Sequence, residues 1–366
     1  MVASDVRDVA TPAVVVDLDV LERNITDMAR SAAERGLALR PHAKTHKIPQ
    51  IARRQLAAGA VGLTVATLGE AEIFAASGVP DIFIAYPLWV DQRAAARLLA
   101  LTERTQVTLG VDSAEGALQL ARVLGGSASR VAVRVELDSG HHRSGVPSDR
   151  ALGVALAASE VGLAVTGLFT FPGHSYQPGA ASSAAADEQQ TLRAAAAALR
   201  KGGFADLELS GGSTPSASLA SGSTLTELRP GVYVFGDAQQ WELGHCAPEN
   251  IALTVESTVV SRSSGTDGRA DRLVLDAGSK VLGSDRATWA TGHGRLVDHP
   301  DARIIALSEH HATVEWAATQ MPPLGTRLRV VPNHVCPTVN LVDEVQVVRD
   351  GVIEDRWRVA ARGRNN

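Results

Sequence analysis

Cysteine is almost absent. Cys246 and Cys336 are the only two in 366 residues, too few for a disulfide framework and set in unlike contexts, GHC and NHVCP. A metal ligand is one role left to such a thiol. A charge excess is lacking too: 35 Lys and Arg against 40 Asp and Glu leave a net charge of -5, with no basic tail. That argues against nucleic acid or an anionic membrane as the main partner and leaves small molecules as the default. No stretch approaches the roughly 20 apolar residues of a membrane-spanning helix, and the start MVASDVRDVATPAVVVDLD has no unbroken apolar core of a secretion signal. The chain therefore reads as cytoplasmic. What it does have is 45% hydrophobic residues, enough to bury the core of one large or two medium domains.

Apolar runs of strand length alternate with Ala-rich segments of helical length, the pattern of repeated βα units. After a lead-in strand (AVVVD, 13–17) and a helix opened by Asp19, eight strands are expected: LALRPH (37–42), VGLTVAT (61–67), DIFIAYP (81–87), QVTLGVD (106–112), RVAVRVELD (130–138), LAVTGLFTF (163–171), ADLELSG (205–211) and GVYVFGD (231–237). Eight such units closing near residue 245 predict an α/β fold, a (β/α)8 TIM-type barrel, over 13–247. The Ala-rich stretch at 180–190 is a helix lead-in. Beyond Asn250 β-branched runs dominate without long helical segments. Residues 1–12 and 248–366 are expected to form a second, all-β domain.

The eight residues RPHAKTHK (40–47) hold an Arg, two His and two Lys. On a barrel strand Arg40, His42 and Lys44 share one face and Leu37, Leu39 and Pro41 the other, so Lys44 is expected at the mouth of the barrel. A solvated basic turn is the plainer reading. In VAVRVELDSGHHRSG the valines take one parity and Arg134, Glu136 and Asp138 the other, placing polar groups inside a second strand. The loops after strands seven and eight are the usual phosphate-binding place of such barrels. SGGSTPS (210–216) supplies glycines and the Ser213 and Thr214 hydroxyls there, and RPGVYVFGD adds Tyr233. A Gly-Gly-Ser turn alone is often a plain βα connection. A phosphate opposite a lysine at the mouth is what pyridoxal 5'-phosphate requires.

TPAVVVDLDVLERNI, RPHAKTHK, SGHHRSG, FPGHSY, GGSTPS, LRPGVY and PNHVCPTVN together resemble the fold-type III pyridoxal-phosphate enzymes with an alanine-racemase-like barrel, and within them the D-threonine aldolase and D-serine dehydratase family. The resemblance spans nearly the whole chain. It implies that Lys44 carries the cofactor, that Arg143 reaches its phenolic oxygen, and that Gly212, Ser213, Thr214, Gly231 and Tyr233 lie at its phosphate. Arg229 or Tyr176 would face the pyridine nitrogen. It also implies a homodimer.

His334 and Cys336 offer imidazole and thiolate. On a strand both would share a face, although the bare pattern also fits a core cysteine beside a surface histidine. The resemblance implies a divalent metal here, zinc, manganese or magnesium, completed by water, substrate or a third side chain. Cysteine in place of aspartate is the dehydratase pattern. The adjacent pairs His141–His142 and His310–His311 are poor chelates, since neighbours on a strand face opposite ways.

The expected substrate is a D-3-hydroxy amino acid. Either a base removes the hydroxyl proton and the Cα–Cβ bond breaks, giving glycine and an aldehyde, or Lys44 removes the α-proton and the hydroxyl leaves, giving a 2-oxo acid and ammonia. His174, at the end of strand six, is the candidate base for the first route, imidazole being the side chain that titrates near neutral pH; it could equally only contact the cofactor. An amino-acid racemase, using a lysine and a tyrosine as paired bases, and a non-catalytic cofactor carrier are the other classes weighed.

Overall fold

The computed structural model describes residues 5–265 and 270–366; the first four residues of the expected 1–12 segment lie outside them. The chain divides into two compact units. One comprises Thr26–Lys44, Pro49–Gly231 and Gly363–Asn366, the other Met1–Ile25, Thr45–Ile48 and Val232–Arg362.

Strand β1 (Ala13–Asp17) is followed by helix α1 (Leu18–Glu34). The barrel strands come next: β2 (Ala38–Leu39), β3 (Leu63–Val65), β4 (Asp81–Pro87), β5 (Gln106–Val111), β6 (Ala132–Leu137), β7 (Ala164–Thr170), β8 (Glu208–Gly211) and β9 (Glu227–Leu228). Helices α2 (Pro49–Ala57), α3 (Leu68–Ala76), α4 (Gln92–Thr102), α5 (Ala114–Leu124), α6 (Ala151–Glu160) and α7 (Ala181–Lys201) fall between them. Asp91, Ser113 and Thr67 open α4, α5 and α3 by accepting a main-chain N–H of the first turn. The eight strands form one parallel sheet in the order β2-β9-β8-β7-β6-β5-β4-β3. Its two ends meet where His42 bridges Thr64 and the Thr64 N–H donates to the Pro41 carbonyl at 2.9 Å. The barrel architecture is the expected one.

Its details differ from the sequence reading at three points. The first strand pairs over Ala38–Leu39 instead of 37–42: the Arg40 and His42 N–H groups still donate to the Leu228 and Pro230 carbonyls at 2.9 and 3.0 Å, but Pro230 has no N–H to return. The eighth strand is Glu227–Leu228 and not GVYVFGD: Val232–Val234 is a 3-10 turn, because Pro230 stops the parallel pairing. The lead-in strand, assigned to the barrel, pairs instead with the sheet of the second unit, antiparallel to β10 and parallel to β16 as given below.

In the second unit α8 (Ala238–Glu242) precedes β10 (Leu253–Ser263), β11 (Asp271–Leu275), α9 (Ser279–Leu282), β12 (Gly294–Leu296), β13 (Arg303–Leu307), β14 (Ala312–Trp316), β15 (Arg327–Pro332), α10 (Val335–Leu341), β16 (Glu344–Arg349) and β17 (Val352–Arg358). The sheet runs β13-β14-β11-β10-β1-β16-β17, with β15 joining β10 to β12. Its core is made by Val16, Leu253, Val255, Val330, Val345, Val347 and Trp357, all essentially inaccessible to water. The short helices α9 and α10 interrupt what reads as an all-β segment. Pro337 is tolerated in the first turn of α10 because N–H groups there have no intrahelical acceptor.

Candidate active site

In the barrel unit, the ends of β2, β6 and β7 converge on one ring. Phe171 directly follows β7. Lys44, in the 3-10 turn Ala43–Thr45 after β2, places its Nζ 5.8 Å from the ring centroid, and the Arg143 guanidinium carbon lies 5.3 Å away. Tyr176 and His141 pack on the same ring at 6.2 and 5.5 Å between centroids. Each cation is within cation–π distance of the ring. Phe171 is thus the common neighbour of Lys44, Arg143, His141 and Tyr176.

Beside this ring stands His174, in the 3-10 turn Gly173–Tyr176. Its Nε2 is 3.2 Å from Asp187 Oδ2 on α7, and its buried Nδ1 has no hydrogen-bond partner. Gly140, at φ +117, makes room for it: a Cβ there would lie 3.2 Å from His174 Cε1. Glu136, on β6, is buried. Desolvation lifts its carboxyl above the usual range, opposed by the Ser144 hydroxyl at 3.0 Å and by Arg143, and Oε2 has no hydrogen-bond partner.

The turn after β7 is tied to the loop after β8 by hydroxyls. Ser175 Oγ lies 2.8 Å from Ser213 Oγ, which lies 2.9 Å from Ser216 Oγ; the Ser213 N–H donates to Ser216 Oγ at 3.0 Å. The Gly212 N–H is already used, donating to Glu188 Oε1 at 2.7 Å. Gly231 follows Pro230 at the end of this unit. Arg229 is wholly buried, donating to the Thr170 carbonyl and stacking on Phe83 and Phe169 at 5.6 and 5.3 Å. Burial pulls its pKa down to about 10.

Arg40 and Arg134, read from strand parity as site residues, face the barrel interior but are engaged deeper. Arg40 Nε donates to Glu227 Oε2 at 2.6 Å and Arg134 to Glu227 Oε1 at 2.7 Å, while Ser210 Oγ donates to Oε1 at 2.6 Å. Burial opposes the Glu227 charge, yet Arg134 and Arg40 outweigh it and hold the carboxyl down to about 2. This is a structural ion network in the barrel core.

The second unit holds Tyr233 and the His-x-Cys pair. Tyr233 is buried in the Val232–Val234 turn. His334 and Cys336 are not on a strand: β15 ends at Pro332 and His334 is the residue that opens α10. His334 Nδ1 lies 2.6 Å from Asp285 Oδ2, and Cys336 Sγ is 3.4 Å from Thr45 Oγ1. Burial opposes charge on the imidazole, but Cys336, Asp285 and Asp237 overcome it and raise its pKa above the ordinary histidine range. Among the described residues no three His, Cys, Asp or Glu side chains group to hold a metal alone. The pair nevertheless fits an incomplete zinc-type centre: an imidazole with Nδ1 held by a carboxylate leaves Nε2 for an ion, beside a thiol. Cys246 does not fit, since burial pushes its thiol up to about 12.

Phe171, Asp187, Glu188 and Asp285 were not singled out from the sequence. Phe171 lies inside the FPGHSY motif. The other three carry no local signal, lying 13, 24 and 49 residues from His174, Gly212 and His334.

Pyridoxal phosphate fits the barrel end, where an amine and a guanidinium converge on one ring near a hydroxyl-rich turn. Residues 16–239 match the family of the alanine racemase N-terminal domain, and residues 252–348 the serine dehydratase domain. The chain belongs to this family, and it is a pyridoxal-phosphate-dependent lyase. It is 37% identical to a D-threonine aldolase of Arthrobacter sp over 97% of this chain and 93% of that protein. It is 36% identical to a D-threo-3-hydroxyaspartate dehydratase of Delftia sp. over 90% of this chain and 91% of that protein. A solved structure of a D-threo-3-hydroxyaspartate dehydratase, a cysteine-to-alanine variant in the metal-free form, superposes with a TM-score of 0.87 at 33% identity, covering 97% of this chain and 98% of that one.

Proposed function

We propose that the protein cleaves D-3-hydroxy amino acids by a D-threonine aldolase-type retro-aldol reaction, giving glycine and an aldehyde. The His174–Asp187 pair carries this reading. A carboxylate 3.2 Å from Nε2 orients the ring, and Nδ1, without a partner, is left to take the substrate hydroxyl proton as the Cα–Cβ bond breaks. Lys44 supplies the amine that carries the cofactor, Arg143 and Tyr176 orient it, with Arg229 as the alternative partner of its ring nitrogen; Gly212 shapes the turn at its phosphate, and Ser213 through its hydroxyl, Thr214, Gly231 and Tyr233 hold that phosphate. Pyridoxal phosphate, when bound, supplies the electron sink for the carbanion at Cα. His334 and Cys336 are the ligands for a divalent ion, zinc, manganese or magnesium, whose chemistry is to polarise oxygen and stabilise its negative charge.

A specific observation favours a second reading, elimination to a 2-oxo acid and ammonia: the metal pair contains a thiol, and one relative is named a dehydratase. Incubating metal-replete protein with D-threonine separates the two. Acetaldehyde and glycine support cleavage; 2-oxobutanoate and ammonia support elimination and sink the aldolase reading. L-Threonine should not be consumed, and chelation should stop turnover of the D-isomer. Among the described residues no helix is long and apolar enough to cross a membrane, in keeping with the proposed cytoplasmic location. The proposed homodimer is checked by sedimentation; a fully active monomer would contradict it.

A further inference from the structure

We propose that Glu188 is a positioning residue for the phosphate of the cofactor, acting from α7 by holding the Gly212 N–H and so setting the shape of the 212–216 loop. The inference rests on the reading of that loop as the phosphate site. Glu188 has 1% of its surface exposed, and Oε1 accepts the Gly212 N–H at 2.7 Å. Gly212 sits at φ +82, where only glycine is unstrained, and a Cβ at neighbouring Gly211 would overlap Glu188 Oε1. Two glycines in sequence are thus explained by one carboxyl: the first leaves space for it and the second makes the turn that it holds.

The consequence for the loop is that its first two N–H groups point inward, to Glu188 and to Ser216 Oγ. The turn is therefore built before any phosphate arrives, and recognition falls to what remains of it. Charge must also be accounted for, because a buried carboxylate behind a phosphate would repel it. Burial pushes Glu188 up to about 7, against the pull of the Gly212 N–H and of the Arg229 charge. Asp187, its neighbour on the helix, is turned to His174. Below neutrality Glu188 is a neutral support, and as pH rises it gains a charge that opposes the phosphate.

The test uses the full chain, stripped of cofactor with hydroxylamine, and equilibrium dialysis against pyridoxal 5'-phosphate and against pyridoxal, which lacks the phosphate. In Glu188→Leu the preference for the phosphorylated form should fall about tenfold, as expected when a buried N–H loses its acceptor, while Glu188→Gln should retain it. Between pH 6 and 8 the preference of the wild type should decline relative to that of Glu188→Gln. An unchanged preference in a folded Glu188→Leu, or parallel pH profiles of wild type and Glu188→Gln, overturns the proposal. Should the leucine variant fail to fold, the glutamine comparison decides alone. If the wild type itself showed no preference for the phosphate, the reading of the loop would fail, and this inference with it; a preference in the wild type that the Glu188 variants leave unchanged removes the inference only.

Discussion

Two glutamates are buried in the same barrel and behave oppositely. Glu227 lies among Arg40, Arg134 and the Ser210 hydroxyl and is held down to about 2. Glu188 has one N–H at hydrogen-bond distance and a single arginine acting on it, and is pushed up to about 7. Burial acts on both in the same direction, so the difference is made by the number and closeness of cations. The barrel core uses charge that is paid for by paired guanidinium groups. Toward the mouth Glu136 Oε2, His174 Nδ1 and Arg229 Nε have no hydrogen-bond partner, as is also true of Arg134 Nε in the core, so the two ends differ in how their charges are paired and not in a count of unpartnered atoms.

The sharpest break of this comparison is at the mouth. Lys44→Ala should abolish turnover, by about a thousandfold or more, without a matching loss of stability, since the amine acts as the covalent attachment. Assay of D-threonine cleavage alongside urea unfolding checks both halves. Deeper in the barrel the effects should reverse. Glu227→Leu leaves two buried guanidinium groups without their common partner and should cost about 3–5 kcal/mol in urea unfolding.

Acid and base should then separate the two carboxyls. Because the folded pKa of Glu227 is depressed, its contribution, on the order of 3 kcal/mol, is present above pH 4.5 and lost as pH falls toward about 2. Glu188 has a raised pKa, so its contribution, of similar order, is present below pH 4.5 and lost as pH rises through about 7. Glu188→Gln should flatten the second slope and leave the first. The smallest effect is expected from Gly211→Ala, whose Cβ would press on Glu188 Oε1 and destabilise by about 1–3 kcal/mol in thermal unfolding.

Much of this was legible along the chain. Apolar runs of strand length with Ala-rich spacers announced the βα repeat, and Lys44 and Arg143 stood in charge-rich motifs at strand ends. The eighth strand was misplaced because VYVF has strand propensity while Pro230, one residue before Gly231, ends the ladder two residues earlier. The lead-in strand was assigned to the wrong sheet because AVVVD is apolar on both faces, so its partners, Leu253–Glu256 and Gln346–Val348, cannot be inferred locally. His334 and Cys336 were seen, but as strand residues, since the helix opening at Val335 is only seven residues long.

By itself the sequence determined the repeat, the change of texture after Asn250 and the reactive side chains, because each depends on residues a few positions apart. Only the tertiary structure decided which of those side chains have partners. Asp187 comes to His174, Glu188 to Gly212 and Asp285 to His334 across 13, 24 and 49 residues. Such pairings follow from how the helices and loops close around the sheets, and a buried carboxyl takes its charge state from that surrounding and not from its neighbours in the chain.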